Sequence, residues 1–329
     1  MTRITIAAAL SLAVLAGTAH AADNKIRVLA PTWTGYAPVF VAIDKGYFKE
    51  LGIEVEMRFE DDRSNVLAAM TRGDVEVDMR TVGEHQGRPR DASTPGVIIG
   101  TIDMSVGGDG VIADGKIGSV KELKGKTVAI EPNIPARLLL QLALKKEGMT
   151  LDDLKIKEIM TQDTVAVFAD SSIDAIGTYE PVMSQALSSQ TQRNGKLLIS
   201  SKDSDIVVDI IDVRQDDLKK NPVKYQHFLT GIFKAIDLYK SDPAEFIKLA
   251  APHYNLSDKE VKEIFDTSLE FTDKAATAAM LGTPEKPGKL YEIFDTVMQL
   301  NLDYKSADVK LDAKQQIDPS VMAAISGAK

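Results

Sequence analysis

Short apolar strands alternate with amphipathic helices in two successive series, and this alternation most constrains the fold of the chain. The first series has four predicted strands and two predicted helices: strands 26–30, 53–59, 75–79 and 96–102, and helices 38–51 and 62–71. The second series has four strands and three helices: strands 126–130, 155–160, 174–177 and 205–211, and helices 135–147, 163–170 and 180–190. Strands linked by single helices pair in parallel. The pattern predicts an α/β fold with two parallel-dominated sheets flanked by helices, and a mostly helical segment from residue 216.

The length of 329 residues is enough for two lobes, each with its own core. We expect lobe 1 to comprise residues 22–105 and 208–329, and lobe 2 to comprise residues 106–207. Two crossovers would then join the lobes, one in the glycine-rich segment 105–110 and one near 200–209. Glycines permit the backbone rotation that a hinge needs, although an ordinary turn at 105–110 is the alternative.

The first residues have the pattern of a secretion signal. Arg3 precedes an apolar run from Ile4 to Leu15, and Ala19-His20-Ala21 supplies a small-x-small cleavage site. The run is too short to cross the core of a bilayer. We therefore expect a signal peptide at 1–21, a mature chain that begins at Ala22, and localisation in the periplasm.

The composition argues against nucleic-acid binding and against several kinds of catalysis. Asp and Glu number 48 against 39 Lys and Arg, so the chain lacks the basic balance that phosphate contact needs. With no cysteine there is neither a thiol nucleophile nor a site for a lipid anchor. His85, His227 and His253 are far apart in sequence, so we expect no metal site and no cofactor.

The motifs that resemble catalytic signatures are incomplete. Gly125-Lys126-Thr127 resembles the end of a phosphate-binding loop, but Val120 stands where the first glycine belongs. The segment 108–113 has the spacing G-x-G-x-x-A, yet a β-rich run follows it instead of a helix. G-x-S-x-G is absent from the sequence. We expect a protein that binds a small molecule and is not an enzyme.

The candidate binding residues lie in loops that follow predicted strands, because open α/β sheets bind ligands beyond the carboxyl ends of their strands. These residues are Trp33, Thr34, Tyr36, Thr81, Glu84, Glu131, Asn133, Tyr179 and Glu180. Trp33, the only tryptophan, is suited to form a flat wall for a ligand, with local packing as the alternative. Glu84 is a ligand contact or a helix cap. A fifth loop, 161–164, contains Asp163, for which a helix cap is favoured over a ligand contact.

Three segments resemble one known family: TWTGYAPVFVAIDKGYFKELGIEVEM at 32–57, LKGKTVAI at 123–130 and DAIGTYEP at 174–181. They are similar to the nitrate/sulfonate/taurine and thiamine-pyrimidine-precursor (NMT1/THI5-like) group of periplasmic substrate-binding proteins of ABC importers. The resemblance implies a type II periplasmic binding protein fold, in which two α/β lobes close on a ligand. It also implies an ABC permease with its cytoplasmic ATPase as partner, docking at the inner membrane and action as a monomer.

By the same resemblance, Trp33 and Tyr36 fall in the ligand loop of lobe 1, Thr81 to Glu84 in the next loop, and Tyr179 with Glu180 in lobe 2. The chain departs from sulfonate and nitrate binders at the start of the lobe 2 helix. Those proteins tend to offer small hydroxyl residues and free backbone N–H groups there, whereas this chain has Glu131-Pro132-Asn133-Ile134-Pro135. Two prolines remove donors and Glu131 adds a negative charge.

We therefore expect a nitrogen-containing ligand, cationic or heterocyclic, that Glu84, Glu131 and Glu180 hold against the aromatic loop. An anionic ligand such as a sulfonate or nitrate remains an alternative, because four arginines could bind it unless they form ion pairs with other residues: Arg80, Arg88, Arg90 and Arg137. Two further alternatives are a sensor that presents its ligand to a receptor and an enzyme similar to pyrimidine synthases. The latter resemble this fold but use a cysteine-rich motif, which is missing from this sequence.

Overall fold

The computed structural model describes residues 24–88, 90–91, 93–189 and 191–327, so the predicted signal peptide at 1–21 lies outside the described residues. The described strands are β1 (Lys25–Ala30), β2 (Glu54–Phe59), β3 (Val77–Thr81), β4 (Val97–Ser105), β5 (Asp109–Ala113), β6 (Thr127–Ile130), β7 (Lys155–Glu158), β8 (Ala175–Tyr179), β9 (Lys196–Ser200), β10 (Val208–Val213) and β11 (Leu269–Phe271). The described α-helices are α1 (Ala37–Asp44), α2 (Tyr47–Glu50), α3 (Arg63–Arg72), α4 (Val82–Gln86), α5 (Pro135–Lys146), α6 (Thr164–Val167), α7 (Val182–Ser189), α8 (Gln215–Lys220), α9 (Pro222–Ser241), α10 (Pro243–Tyr254), α11 (Asp258–Ser268), α12 (Lys274–Leu281), α13 (Lys289–Asp303), α14 (Ala313–Gln316) and α15 (Ser320–Ser326).

The strands form two mixed sheets in which one direction dominates. The first sheet has the order β11-β4-β10-β3-β1-β2, with β1 to β4 running one way and β10 and β11 the other. The second sheet has the order β7-β6-β8-β5-β9, and of its described strands β5 alone runs against the rest. The prediction of an α/β fold with two parallel-dominated sheets is confirmed. The strands β5 and β10 each follow a crossover between the sheets. Their reversed direction was not indicated by the strand pattern alone.

The chain crosses between the sheets at 106–108 and again at 201–207. The Ser201 hydroxyl lies 2.8 Å from the Ser105 hydroxyl, and it accepts hydrogen bonds from the backbone N–H groups of Gly107 and Asp109 at 2.9 and 3.2 Å. A single side chain in the second crossover therefore fixes the first. We propose these crossovers as the boundaries between lobe 1, built on the first sheet, and lobe 2, built on the second.

Local sequence signals account for the ends of several elements. Asp62 precedes α3 and accepts a hydrogen bond from the backbone N–H of Ser64 at 2.8 Å, while Gly73, with φ of 80°, ends the helix. β2 alternates exposed and buried residues, as expected of an edge strand with one solvated face. In the described part of the chain, no helix is both long enough and apolar enough to cross a membrane.

Some element boundaries differ from the predictions. The helix predicted at 38–51 is divided into α1 and α2 because Gly46 between them adopts φ of 74°. The helix predicted at 163–170 is a single 3₁₀ turn, Thr161–Asp163, followed by the one-turn helix α6. Three strands, β5, β9 and β11, were not predicted; the three residues of β11 pair with the end of β4. β3 continues to Thr81, beyond the predicted end of the strand at residue 79.

Candidate functional site

A small cavity lies between the two sheets. Its walls come from both lobes and consist of Pro31, Trp33, Tyr36, Thr81, Glu84, Asp109, Pro135, Tyr179 and Asp209. Most of the lining residues lie at or just after the carboxyl ends of β1, β3 and β8, where open α/β sheets bind their ligands. Because β5 and β10 run in the opposite direction, it is their beginnings that reach the same edge.

Two aromatic side chains, one from each sheet's side of the cavity, pack against each other at its wall. Trp33 and Tyr179 have ring centroids 6.4 Å apart and ring planes at 77°, an edge-to-face arrangement. Both residues are buried, as is Tyr36 beside them. The Tyr179 hydroxyl also lies 3.4 Å from the carboxylate of Asp61, which belongs to the opposite lobe. Residues on the two sides of the cavity are therefore in direct contact beside it.

Three neighbours fix the position of the Trp33 indole. The indole Nε1 lies 3.2 Å from each carboxyl oxygen of Asp103. The backbone carbonyl oxygen of Trp33 accepts a hydrogen bond from the Tyr254 hydroxyl at 3.1 Å. The edge of the ring packs on Gly108, where a Cβ atom would lie 2.3 Å from Trp33 Cη2. The glycine in the first crossover is thus required by the close approach of Trp33, in addition to any role in hinge motion.

Thr81 and Glu84 combine a structural and a lining role. Glu84 Oε2 accepts hydrogen bonds from the Thr81 backbone N–H at 3.0 Å and from its hydroxyl at 2.8 Å, and Thr81 Oγ1 caps the Glu84 N–H in return. This is a capping box at the start of α4. Both side chains also line the cavity. The helix-cap alternative for Glu84 is confirmed, and its contact with a ligand stays a prediction.

Asp103, Asp109 and Asp209 are three buried acidic residues that the sequence analysis missed. Asp109 and Asp209 line the cavity, and Asp103 lies behind Trp33. Tyr36 donates its hydroxyl hydrogen to Asp209. A sequence signal did exist: Asp103 and Asp209 are single acidic residues within apolar strands, Ile102-Asp103-Met104 and Val208-Asp209-Ile210. A charge in a strand that is buried on both faces needs a reason.

Burial and mutual repulsion favour the neutral forms of these acids. Burial raises the pKa of Asp109 to about 7 and that of Asp103 to about 8. Burial, with repulsion from Asp103, also raises the pKa of Asp209 well above its usual range. Buried acids of this kind are commoner at functional sites than in ordinary cores.

Four predicted site residues lie outside the cavity lining. Thr34 is buried, and its hydroxyl has no hydrogen-bond partner among the described residues. Glu131 accepts hydrogen bonds from the backbone and side chain of Thr161, and Glu180 accepts them from Ser184. Asn133 donates to the carbonyl oxygen of Arg88 at 3.2 Å, a contact between the lobes. The other five predicted residues are brought together around the cavity: Trp33, Tyr36, Thr81, Glu84 and Tyr179.

The four arginines that left an anionic ligand open are engaged in ion pairs. Arg88 pairs with Asp308 at 2.5 Å and Arg137 with Glu158 at 3.0 Å. Arg80 is buried between Asp78, at 3.4 Å, and Glu84, at 3.5 Å. Arg90 lies 3.6 Å from Asp212. Among the described residues, no lysine, arginine or histidine side chain lines the cavity.

Metal binding is not indicated by the geometry of the acidic residues. In the ranges that the structure describes, no group of three or more histidine, cysteine, aspartate or glutamate side chains is arranged to hold a metal ion. The cavity instead combines carboxyl groups with aromatic faces. This combination suits an organic cation, which carboxylates attract and aromatic rings contact through their negative faces.

The sequence matches the model of one protein family, described as "NMT1/THI5 like", over residues 33–246. Curated relatives include binding proteins of Brucella abortus and Brucella suis, each 29% identical over 184 residues. The match covers 55% of this chain and 56% of each relative, so the chain spans about half the length of the curated relatives it matches.

Solved structures share the fold at low sequence identity. The alkanesulfonate-binding protein SsuA from Xanthomonas axonopodis, bound to MOPS, has a TM-score of 0.72 at 15% identity, covering 90% of this chain and 98% of that one. The nitrate-binding protein NrtA from Synechocystis has a TM-score of 0.74 at 13% identity, covering 93% of this chain and 89% of that one. At these identities the likeness establishes a two-lobed binding-protein fold.

Proposed function

The chain belongs to the NMT1/THI5-like family, and on that basis we propose that it is the periplasmic solute-binding component of an ABC importer. It binds a small nitrogen-containing cation between its lobes and presents it to a membrane permease, without catalysis. The ligand must contact both lobes, because only then does its binding energy favour the closed state over the open one. The cavity walls meet this condition, since Trp33 and Glu84 come from lobe 1 and Asp109 and Tyr179 from lobe 2.

The charge of the cavity is the observation that carries the choice of a cation. Glu84, Asp109 and Asp209 line the cavity, and no cationic side chain among the described residues lines it with them. Two unit charges 4 Å apart interact by about 4 kcal/mol at an effective dielectric constant of about 20, so a buried anion would be repelled by each of these acids that is ionised. A buried cation gains the same interactions with the opposite sign.

The start of α5 supports the same choice. Helix N-termini bind anions through free backbone N–H groups, and solved relatives of this fold are named for sulfonate and nitrate. Here the first helical residue is Pro135, which has no N–H and is one of the residues that line the cavity. The proposed ligand therefore differs in charge from the ligands in those proteins' names.

A charge series of ligands with nearly the same shape tests the proposal. Benzamidinium, benzamide and benzoate are one-ring compounds that carry a positive, zero and negative charge; benzenesulfonate and nitrate extend the anionic arm, and benzylammonium and 4-aminopyridinium the cationic arm. At about 100 times its Kd, a cation is expected to raise Tm by roughly 5 °C. Stabilisation by the anions alone, with no shift from any cation, would overturn the proposal.

The aromatic pair gives a second test. Trp33→Ala and Tyr179→Ala should each weaken binding of the cationic probes about 5- to 30-fold, because each removes one aromatic wall worth about 1–2 kcal/mol. Calorimetric titration measures the change in Kd. Tyr291→Ala, a half-buried tyrosine outside the cavity, is the control and should leave Kd unchanged. Unchanged affinity in both cavity variants would exclude the aromatic pair as a binding element.

A further inference from the structure

Asp103 and Asp209 form a pair of opposed carboxyl groups. β4 and β10 are antiparallel, and their register places Asp103 directly opposite Asp209. Directly opposed residues in such a pair hold their Cβ atoms about 4.5–5.5 Å apart, and like charges there destabilise the sheet. A hydrogen bond between the two carboxyl groups would require a proton on one of them, since an ionised carboxylate accepts hydrogen bonds and cannot donate.

The remaining hydrogen bonds to the pair come from neutral donors. Trp33 Nε1–H approaches both oxygens of Asp103 at 3.2 Å, and the Tyr36 hydroxyl donates to Asp209. These donors orient the carboxyl groups but bring no positive charge. Asp103 and Asp209 are each no more than 2% exposed, so water does not supply the missing compensation either.

The titratable groups that face the pair from other elements are also acidic. Glu84 on α4, Asp109 on β5, Tyr36 in the 3₁₀ turn before α1 and Tyr254 at the end of α10 all interact with Asp103 or Asp209. None of these facing groups is a cation. The side chain of Asp209 reaches the cavity, whereas Trp33 separates Asp103 from it. A ligand in the cavity would therefore meet Asp209 and act on Asp103 through it.

We propose that Asp103 and Asp209 share one proton in the ligand-free protein, and that capture of a cation in the adjacent cavity expels this proton to the solvent. The exchange conserves charge, because one positive charge enters the site as another leaves it. The inference rests on the proposed function, since it assigns how the same cavity accepts a cation. It makes Asp103 a positioning residue for Trp33 and a proton carrier, without direct contact to the ligand.

The pKa values agree with this arrangement. Burial raises the pKa of Asp103 to about 8, and burial together with repulsion from Asp103 raises the pKa of Asp209 well above its usual range. Near neutral pH the pair therefore holds at least one proton until a cation arrives. Below about pH 8, release of one proton per ligand predicts an affinity that rises about tenfold per pH unit.

Trp33 reports on the pair without any ligand, because it is the only tryptophan and its N–H contacts Asp103. In the full mature protein, Trp33 fluorescence followed from about pH 6 to about pH 9.5 should show a one-proton transition near pH 8. Asp103→Asn keeps an oxygen for the indole N–H but cannot ionise, so it should abolish the transition. Asp209→Asn should shift or abolish it, and the exposed Asp205→Asn should leave it in place. A flat titration in the unmodified protein would overturn the shared proton.

Calorimetry with benzamidinium in two buffers of different ionisation enthalpy then counts the protons released. The count at about pH 7 should fall by about one in Asp103→Asn relative to the unmodified protein. An unchanged count would overturn the coupling and leave the cation site standing. If no member of the cationic series binds, the proposed function fails and the coupling fails with it, whereas the fluorescence titration still decides whether the proton is shared.

Discussion

Replacing Asp109 and Asp209 together with asparagine is expected to weaken binding of the cationic probes about 1,000-fold, the equivalent of about 4 kcal/mol. Both side chains line the cavity, and asparagine keeps nearly the same shape while losing the ability to become charged. Glu84 would remain as the single ionisable acid in the lining, and it is already engaged with Thr81 and Arg80. The measurement is the Kd of benzamidinium at about pH 8.

The same double substitution should stabilise the ligand-free protein at alkaline pH. The pKa of Asp109 is about 7 in the folded protein against an ordinary value of 3.8, so between these values the native state binds more protons than the unfolded state. The free energy of unfolding therefore falls as pH rises through that window. Asparagine removes this loss, and we expect a gain of about 2 kcal/mol or more at about pH 8, since each pKa unit corresponds to about 1.4 kcal/mol.

The opposite signs of these two effects make the test specific. A substitution that simply damaged the fold would lower both affinity and stability, whereas these acids are expected to cost stability in return for binding. Asp205→Asn, which removes an exposed carboxylate paired with Lys289, is the control and should change neither quantity appreciably. Weaker binding together with a lower Tm at alkaline pH would contradict our account of the cavity.

Gly108→Ala is expected to weaken binding of the cationic probes about 100-fold. A Cβ atom at this position would lie 2.3 and 2.8 Å from Trp33 Cη2 and Cζ3, and 2.9 Å from the carbonyl oxygen of Ser268. The backbone at 268 cannot move away easily, so the indole must leave its position against Asp103. The cavity then loses one wall, and the close contact between the Trp33 ring and the backbone of the first crossover is lost.

Gly83→Ala is the matched control for this substitution. Gly83 lies in α4 beside Glu84, but a Cβ atom there would meet Val297 Cγ1 at 3.5 Å, an ordinary contact. Alanine is favoured over glycine within a helix by about 0.5–1 kcal/mol, so this variant should bind normally and unfold no more easily. Kd and Trp33 fluorescence distinguish the two variants. Normal binding in Gly108→Ala would show that the position of Trp33 is unimportant for capture.

The overall fold could be predicted because it depends on local patterns that the sequence displays. Alternating apolar residues, glycines that end helices and the regular succession of strands and helices predicted two sheets and the dominance of one strand direction, although strands β5, β9 and β11 were not predicted. The reversed strands β5 and β10 could not be predicted in this way. Their direction is set by where the chain crosses between lobes, and this depends on long-range packing such as the contacts of Ser201 with the first crossover.

The aromatic and capping residues of the site were predictable, whereas most of its charge was not. Trp33, Tyr36 and Tyr179 follow strands or end them, so the rule for open sheets selects them. Asp103 and Asp209 become neighbours only through the register of β4 with β10, about a hundred residues apart in sequence. Glu131 and Glu180 show the converse: they follow strands as expected, but nearby hydroxyl and N–H groups of Thr161 and Ser184 hold their carboxylates.

Selectivity between benzamidinium and benzoate measures the central claim most directly, because these two ions share a ring and a planar head group and differ in the sign of their charge. We predict that the protein at about pH 8 binds benzamidinium at least about 100-fold more tightly than benzoate, and that the Asp109→Asn/Asp209→Asn variant loses most of this preference. Equal affinities, or tighter binding of benzoate by the unmodified protein, would contradict a cavity built for cations.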